Sequence, residues 1–319
     1  MLQANPTSFD ALYHDFRWNI PTRFNIAEAC VTRYANATPD APALIIDHGA
    51  NEAADILSWG DLEVRVQKIA AVLVSHGVSR GDRVAIQLPQ GWEAVATHLA
   101  TYRLGALATP FATQFGPQAI AYRINKARPK VFVATPDAVA RWQRSDTAHT
   151  STPETLVVSD NAEQSSFHRA FDAALPSDIA VETTPNDPAM LLFTSGTTGQ
   201  PKGVVHGHRV LLGHLPGIQL AQEMMPQLGD VFWTPSDWAW AGGLLNALLP
   251  ALYFGVPVVA ANAPRFSAEW ALDVMARNKV TNVFVPPTAI RIIANHQGVV
   301  PQLSVRAVGA AGEQLGAQT

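Results

Sequence analysis

The chain is predicted to adopt an α/β fold with a parallel-rich sheet. Short apolar strands alternate with amphipathic helices over most of its length, which is the pattern of βαβ units. Its 319 residues are 48% hydrophobic and 15% charged, enough for a sizeable core. A polar, proline-bearing stretch over 144–187 separates two such series, so a subdomain boundary is placed near residue 180. This divides the chain into an N-terminal α/β subdomain, 1–180, and a second one, 181–319.

The elements follow in order. Residues 24–37 read as a helix ended by Pro39. Residues 43–46 and 57–59 are short strands flanking a polar hairpin. Over 61–76 the residues Leu62, Val66, Ile69, Ala70 and Leu73 recur at helical spacing, and Gly77 supplies the stop. Strand 83–88, helix 92–104, extended 106–110, helix 118–127 and strand 130–134 continue the alternation. The 144–187 stretch reads as a surface connection holding one strand, 156–159. Beyond it, 190–193 is a buried strand and 210–220 a helix. Strand 230–233 leads into a TPSD loop, then helix 242–254 and strand 257–260. Helix 267–278 has Ser267 as its N-cap and Glu269 in its first turn. Strand 280–285, helix 287–295 and strand 305–309 complete the series.

Composition excludes several classes of function. The net charge is -4 and no Lys/Arg run occurs, which argues against nucleic acid and against an anionic membrane surface as partners. Cys30 is the one cysteine, so neither an intrachain disulfide nor a thiolate metal cluster is expected; a lone thiol in FNIAEACVTRYA reads as core packing. The N-terminus shows no apolar signal segment, and the most apolar stretch, 239–254, is broken by Asn246 and Pro250 and too short to span a bilayer. The expectation is a cytoplasmic enzyme acting on small molecules; the sequence leaves a homo-oligomer open.

The stretch with chemistry in it is LLFTSGTTGQPKGVVHGHR, from Leu191 to Arg209. Thr194, Ser195, Gly196, Thr197, Thr198 and Gly199 place four hydroxyls and two glycines in six residues. Glycine lets a loop turn tightly and expose its N–H groups, and hydroxyls add donors for oxygen anions. Pro201 stiffens the turn and Lys202 brings a mobile positive charge, a combination suited to a polyphosphate. It is not a strand–GxxxxGK[ST]–helix loop, because Lys202 follows a proline and GVV after it favours a second strand. A bare TSGTTG is equally compatible with a polar surface turn. The full order, an apolar run followed by T-S-G-T-T-G-x-P-K-G, resembles the phosphate-binding signature of the AMP-forming acyl-adenylate enzymes.

Further segments extend the likeness. Trp233-Thr-Pro-Ser-Asp-Trp-Ala-Trp-Ala-Gly-Gly begins 31 residues after Lys202. Three indoles and one carboxylate suit either an apolar acyl pocket or a tryptophan-rich core corner. Ser236, Asp237 and Trp240 match the S-D-x-x-W pattern of acetyl- and medium-chain acyl-CoA synthetases, whereas Trp238-Ala239 departs from it. The resemblance implies acid binding by Asp237, Trp238, Trp240 and Gly242; an acid near Asp237 also serves amino-acid-activating relatives, which keeps that class open. Gly309-Ala-Ala-Gly-Glu313 is similar to the family's A-G-E segment and implies adenine and ribose contacts at Gly312 and Glu313. Gln114, after Thr113, matches a glutamine that contacts CoA in medium-chain relatives; a helix-capping loop is the other reading. The start, Phe16-x-Trp18-x-x-Pro21-x-x-Phe24-Asn25, is also similar to medium-chain synthetases. His206 and His208 lack partners at metal spacing, and His206 is expected to satisfy a local backbone group; no metal ligand is assigned.

The resemblance implies two αβαβα-type subdomains packed together, incomplete at the C-terminus, and a two-step reaction. A carboxylate attacks the α-phosphate of ATP to give acyl-AMP and pyrophosphate, and the thiol of CoA then displaces AMP. Thr194 and Lys202 are the implied catalytic pair, Ser195, Gly196, Thr197, Thr198 and Gly199 complete the nucleotide loop, and Mg²⁺ bridges phosphate oxygens. The family's aromatic-G-x-T-E segment and lysine-bearing C-terminal domain are not among these residues. The chain is therefore expected to hold the first part of a synthetase. The alternatives are an ATP-binding fragment without turnover and an amino-acid adenylation domain.

Overall fold

The structure is a computed structural model and describes residues 2, 8–194, 199–263 and 265–316. In chain order the first strands are β1 (Pro42–Asp47), β2 (Asp55–Ser58), β3 (Arg83–Gln87) and β4 (Leu107–Pro110). Next come β5 (Val131–Ala134), β6 (Glu154–Val157), β7 (Pro188–Thr194) and β8 (Lys202–Gly207). The last are β9 (Phe232–Trp233), β10 (Val258–Ala261), β11 (Asn282–Phe284) and β12 (Ala307–Gly309).

They form two six-stranded sheets, ordered β12-β11-β9-β10-β1-β2 and β6-β5-β3-β4-β7-β8. Only β1–β2 and β7–β8 pair antiparallel among the described residues; the other neighbours are parallel. This is the parallel-rich α/β arrangement that the alternation predicts. Each sheet takes strands from both sides of residue 180: β1 and β2 join the late strands, and β7 and β8 join the early ones. The two halves of the sequence are thus not the two sheets. The connection around 180 runs along the surface past the end of helix Trp92–Arg103, where Val181 N donates to Arg103 O at 2.8 Å, and then enters the early sheet as β7.

Helix 59–75 shows why these residues form these elements. Ser58 Oγ accepts from Asp61 N while the Asp61 carboxylate accepts from Ser58 N, a capping box worth about 1 kcal/mol. Leu62, Val66, Ile69, Ala70 and Leu73 are all buried on one face, as their spacing requires. They enter the main core with helix Trp92–Arg103, which is buried from Ala94 onward, and with Leu244–Leu249 from the opposite subdomain. Cys30 lies fully buried in that core, and burial pushes its thiol well above the usual range, consistent with packing rather than nucleophilicity.

Two helices depart from the expected surface connection and its approach. Pro136–Gln143 starts with proline at its first turn and Thr135 as its cap. Ser166–Ala173 lies inside the stretch read as carrying one strand only. Ser165 caps it by accepting from His168 N, and Phe167 inserts into the core at 1% exposure. Three apolar anchors in a polar background sufficed to dock it. Ser267 does cap helix Ala268–Arg277 by accepting from Trp270 N.

Candidate active site

The glycine- and hydroxyl-rich segment joins β7 to β8. These strands form an antiparallel hairpin on the edge of the early sheet, in register from Met190↔His206 to Thr194↔Lys202. Thr194 and Lys202 are therefore the cross-strand pair at the base of the connecting loop. Gly199 has φ of +98°, a left-handed conformation that favours glycine, and its missing Cβ faces open space. Tyr122 Oη donates to Pro201 O at 2.9 Å and fixes the returning arm. Lys202 is exposed. Ser195, Gly196, Thr197 and Thr198 lie outside the described residues.

The loops after β3 and β4 are hydrogen-bonded to the loop after β9 and to the end of β10. Gln90, after β3, donates through Nε2 to Thr234 O and Ser236 O at 3.0 and 2.9 Å. Its Oε1 accepts from Ala261 N, and its backbone is bonded on both sides by Asn262. After β4, Thr113 donates through both its backbone N and its Oγ1 to Asp237 Oδ2, each at 2.8 Å. Asp237 Oδ1 accepts from Ala239 N at 2.8 Å. Arg141 donates to Thr113 O and Phe115 O and pairs with Asp137. Gln114 sits exposed on this loop beside Thr113.

The three tryptophans divide. Trp233 is fully buried against Trp270, edge-on at 5.6 Å, and Trp238 is 3% exposed, so both belong to the core-corner reading. Trp240 is 40% exposed. Its indole lies over Gly242, where a Cβ would come within 2.5 Å of the ring, and beside Gly312, where a Cβ would stand 3.1 Å away. Phe284 flanks it at 6.3 Å between ring centres. The S-D-x-x-W and A-G-E segments thus converge on this indole.

Glu313 is exposed. Its carboxylate accepts from the amide and hydroxyl of Thr288 and from Arg291 Nη2 at 2.8 Å. Those hydrogen bonds, Thr288 first and then Arg291, hold it below the usual carboxylate range.

The histidine assignment needs correction. His208, not His206, satisfies a backbone group: its Nδ1 accepts from Ile26 N at 3.2 Å. Burial depresses His208 to about 4. His206 is also lowered, by partial burial and by nearby His214. Sequence reasoning missed Gln90, Asn262 and Arg141. The one signal was a Pro-Gln-Gly turn directly after a strand, at the end of a parallel sheet where ligands commonly bind. Among the described residues no group of three or more His, Cys, Asp or Glu gathers to hold a metal, and no helix is long and apolar enough to cross a membrane.

The family described as AMP-binding enzyme matches residues 31–319. The chain belongs to this AMP-binding enzyme family. Acetyl-coenzyme A synthetase 2 of Candida albicans is 31% identical over 330 residues, covering 94% of this chain and 48% of that protein. An acyl-CoA synthetase of Brucella canis superposes with a TM-score of 0.83 at 28% identity, covering 97% of this chain and 58% of the other. ATP-bound MatB of Rhodopseudomonas palustris gives 0.75 at 26% identity over 92% of this chain and 56% of its own. The chain thus spans about half the length of the curated relatives it matches, such as 48% of the Candida protein. These superpositions extend over both sheets, in agreement with the two packed subdomains that the AMP-binding signature implies.

Proposed function

We propose that this chain is the nucleotide- and acid-binding part of an AMP-forming acyl-CoA synthetase. The observation that carries the reading is the β7–β8 hairpin, which sets Thr194 opposite Lys202 at the base of the TSGTTG turn. In the first step a carboxylate oxygen of the acid attacks the α-phosphorus of ATP, and pyrophosphate leaves. In the second, the sulfur of CoA attacks the acyl carbon, and AMP leaves with the electron pair of the broken C–O bond.

The first step asks the protein for positioning and charge neutralisation. Thr194, Ser195, Thr197 and Thr198 donate to the β- and γ-phosphates, with Gly196 and Gly199 letting the backbone approach. Lys202 neutralises the departing pyrophosphate. Mg²⁺ would enter with ATP and supply charge neutralisation at the phosphates that Thr194 and Lys202 hold. Gly312 lies against Trp240 on one side and is exposed on the other, where a flat base would meet its backbone, and Glu313 exchanges its Thr288 and Arg291 partners for nucleotide hydroxyls. Trp240 and Gly242 line the acid side, with buried Trp238 behind them. Gln114 projects from the neighbouring loop, where CoA approaches.

An ordinary carboxylic acid is favoured over an amino acid. Asp237 already accepts three hydrogen bonds and has little left for a substrate amine. Titration calorimetry of the 319-residue chain with ATP, followed by pyrophosphate–ATP exchange with a panel of fatty, aromatic and amino acids, tests the reading. Binding of ATP that Lys202→Ala weakens about tenfold or more is expected. No ATP binding, or binding indifferent to Lys202→Ala, overturns it, and exchange confined to amino acids overturns the acid class.

A further inference from the structure

The loop Thr234–Trp240 is fastened to the opposite sheet at two points. Gln90 takes the carbonyls of Thr234 and Ser236, and Thr113 takes one oxygen of Asp237 with two donors. Behind Thr113, Arg141 grips the same loop through the carbonyls of Thr113 and Phe115. Ahead of Asp237, its own carbonyl accepts from Trp240 N at 3.0 Å, and a Cβ on Gly243 would come within 2.4 Å of it. Any shift of Asp237 is therefore passed to Trp240 and to the glycine pair beneath that indole.

We propose that Asp237 is a positioning residue, a latch that makes the loop bearing Trp240 and the loop bearing Gln114 move as one body. The proposal rests on the acid-activating reading above and deepens it. Asp237 does not touch the acid; it locks the wall that does. The chemistry of the latch calls for a carboxylate. Both oxygens must accept, one from the two Thr113 donors and the other from Ala239 N. An amide at 237 sets its NH₂ against donors whichever way it is turned. Unlike a substrate ligand, a latch has an obligatory partner on the other sheet, so disabling Thr113 must reproduce the defect.

Hydrogen exchange at the Thr113 and Ala239 amides, measured in the 319-residue chain, reports the latch directly. Asp237→Asn is expected to speed exchange at Thr113 or at Ala239, whichever amide then faces the side-chain NH₂, by about tenfold or more. Thr113→Val, which keeps the amide but loses the hydroxyl, gives a smaller rise, and Thr113→Ser restores the wild-type rate. In pyrophosphate–ATP exchange both Asp237→Asn and Thr113→Val raise KM for the acid and leave KM for ATP unchanged. Wild-type exchange at both Thr113 and Ala239 in Asp237→Asn overturns the proposal. So does a loss of acid binding in Asp237→Asn that Thr113→Val does not share, since that marks direct contact. If the chain binds no ATP, the functional reading fails, and amide exchange alone still decides the latch.

Discussion

Thr194 and Lys202 face each other as the last registered pair of the β7–β8 hairpin, so one turn carries a hydroxyl on its outgoing arm and an ammonium on its returning arm. Lys202 is exposed, so its removal leaves the fold intact. Lys202→Ala is expected to lower ATP affinity about tenfold to a hundredfold, as losing a charge-assisted contact to phosphate would. Its denaturant midpoint should stay at the wild-type value. Gly199→Ala forces an alanine to φ near +98° and should cost about 1 kcal/mol of local strain on top of weaker binding. Calorimetry with ATP and urea unfolding separate the two effects.

Much of this hairpin could be read in the sequence, because each arm is a local apolar run and the turn residues lie between them. The alternation of helices and strands was equally local and correctly read. Sheet order was not, since the placement of β1–β2 beside β10 depends on pairings more than two hundred residues apart. Helix Ser166–Ala173 escaped although Phe167, Ala170, Phe171 and Ala174 recur at helical spacing, because the polar stretches on either side outweighed that short period. In the candidate site, the residue types of the W-T-P-S-D-W-A-W segment were visible but their directions were not. A loop has no periodicity to tell that Trp238 is buried while Trp240 stays partly exposed. Gln90 shows the same limit, as its four partners come from strands remote in the chain.

The Trp240–Gly242 stack makes a second prediction. A methyl at 242 would collide with the indole at 2.5 Å, so Gly242→Ala must expel the ring or distort the start of the helix. Overpacking of this kind costs about 1–3 kcal/mol. Trp240→Ala removes the obstacle. In a double-mutant cycle by urea unfolding, the pair Trp240→Ala/Gly242→Ala should recover most of the loss seen in Gly242→Ala alone. Additive losses would show that the backbone, not the indole, demands glycine there. Gly242→Ala should also shift the acid preference in pyrophosphate exchange, because the ring that lines the acid side is displaced.

Acid sensitivity follows from two buried histidines. Burial depresses both His98 and His208 from 6.5 to about 4. His98 meets only Tyr102 Oη among its described partners, and His208 accepts from Ile26 N, so both rings are neutral in the fold. The unfolded chain therefore binds protons more readily than the native one between these values. Stability from this source is fully present above pH 6.5 and falls as pH drops towards 4, by up to about 3 kcal/mol for each ring. Urea midpoints should decline steeply over that window. His208→Gln preserves an acceptor for Ile26 N while removing the titration, and should flatten the decline. An unchanged slope in both His98→Gln and His208→Gln would place the sensitivity in the carboxylates instead.

Arg103 and Glu63 form a buried ion pair at 2.6 Å, with side chains 8% and 10% exposed. Glu63 also accepts from Gln67 and Thr32, and Arg103 donates through Nε to Ile179 O, so the pair ties the helix Trp59–Ser75 to the connection that enters β7. Removing one partner leaves the other charge buried without compensation. Glu63→Ala is expected to cost about 3–5 kcal/mol. Replacing both with apolar residues of similar size, Glu63→Leu with Arg103→Met, removes the stranded charge and should recover much of that loss. The double variant nevertheless loses the anchor at Ile179. It should be cut by protease between 174 and 187 faster than wild type at equal global stability, because the segment that delivers β7 to its sheet is then held at fewer points. Equal cleavage rates would mean that the Val181–Arg103 backbone bond holds this connection without the side chains.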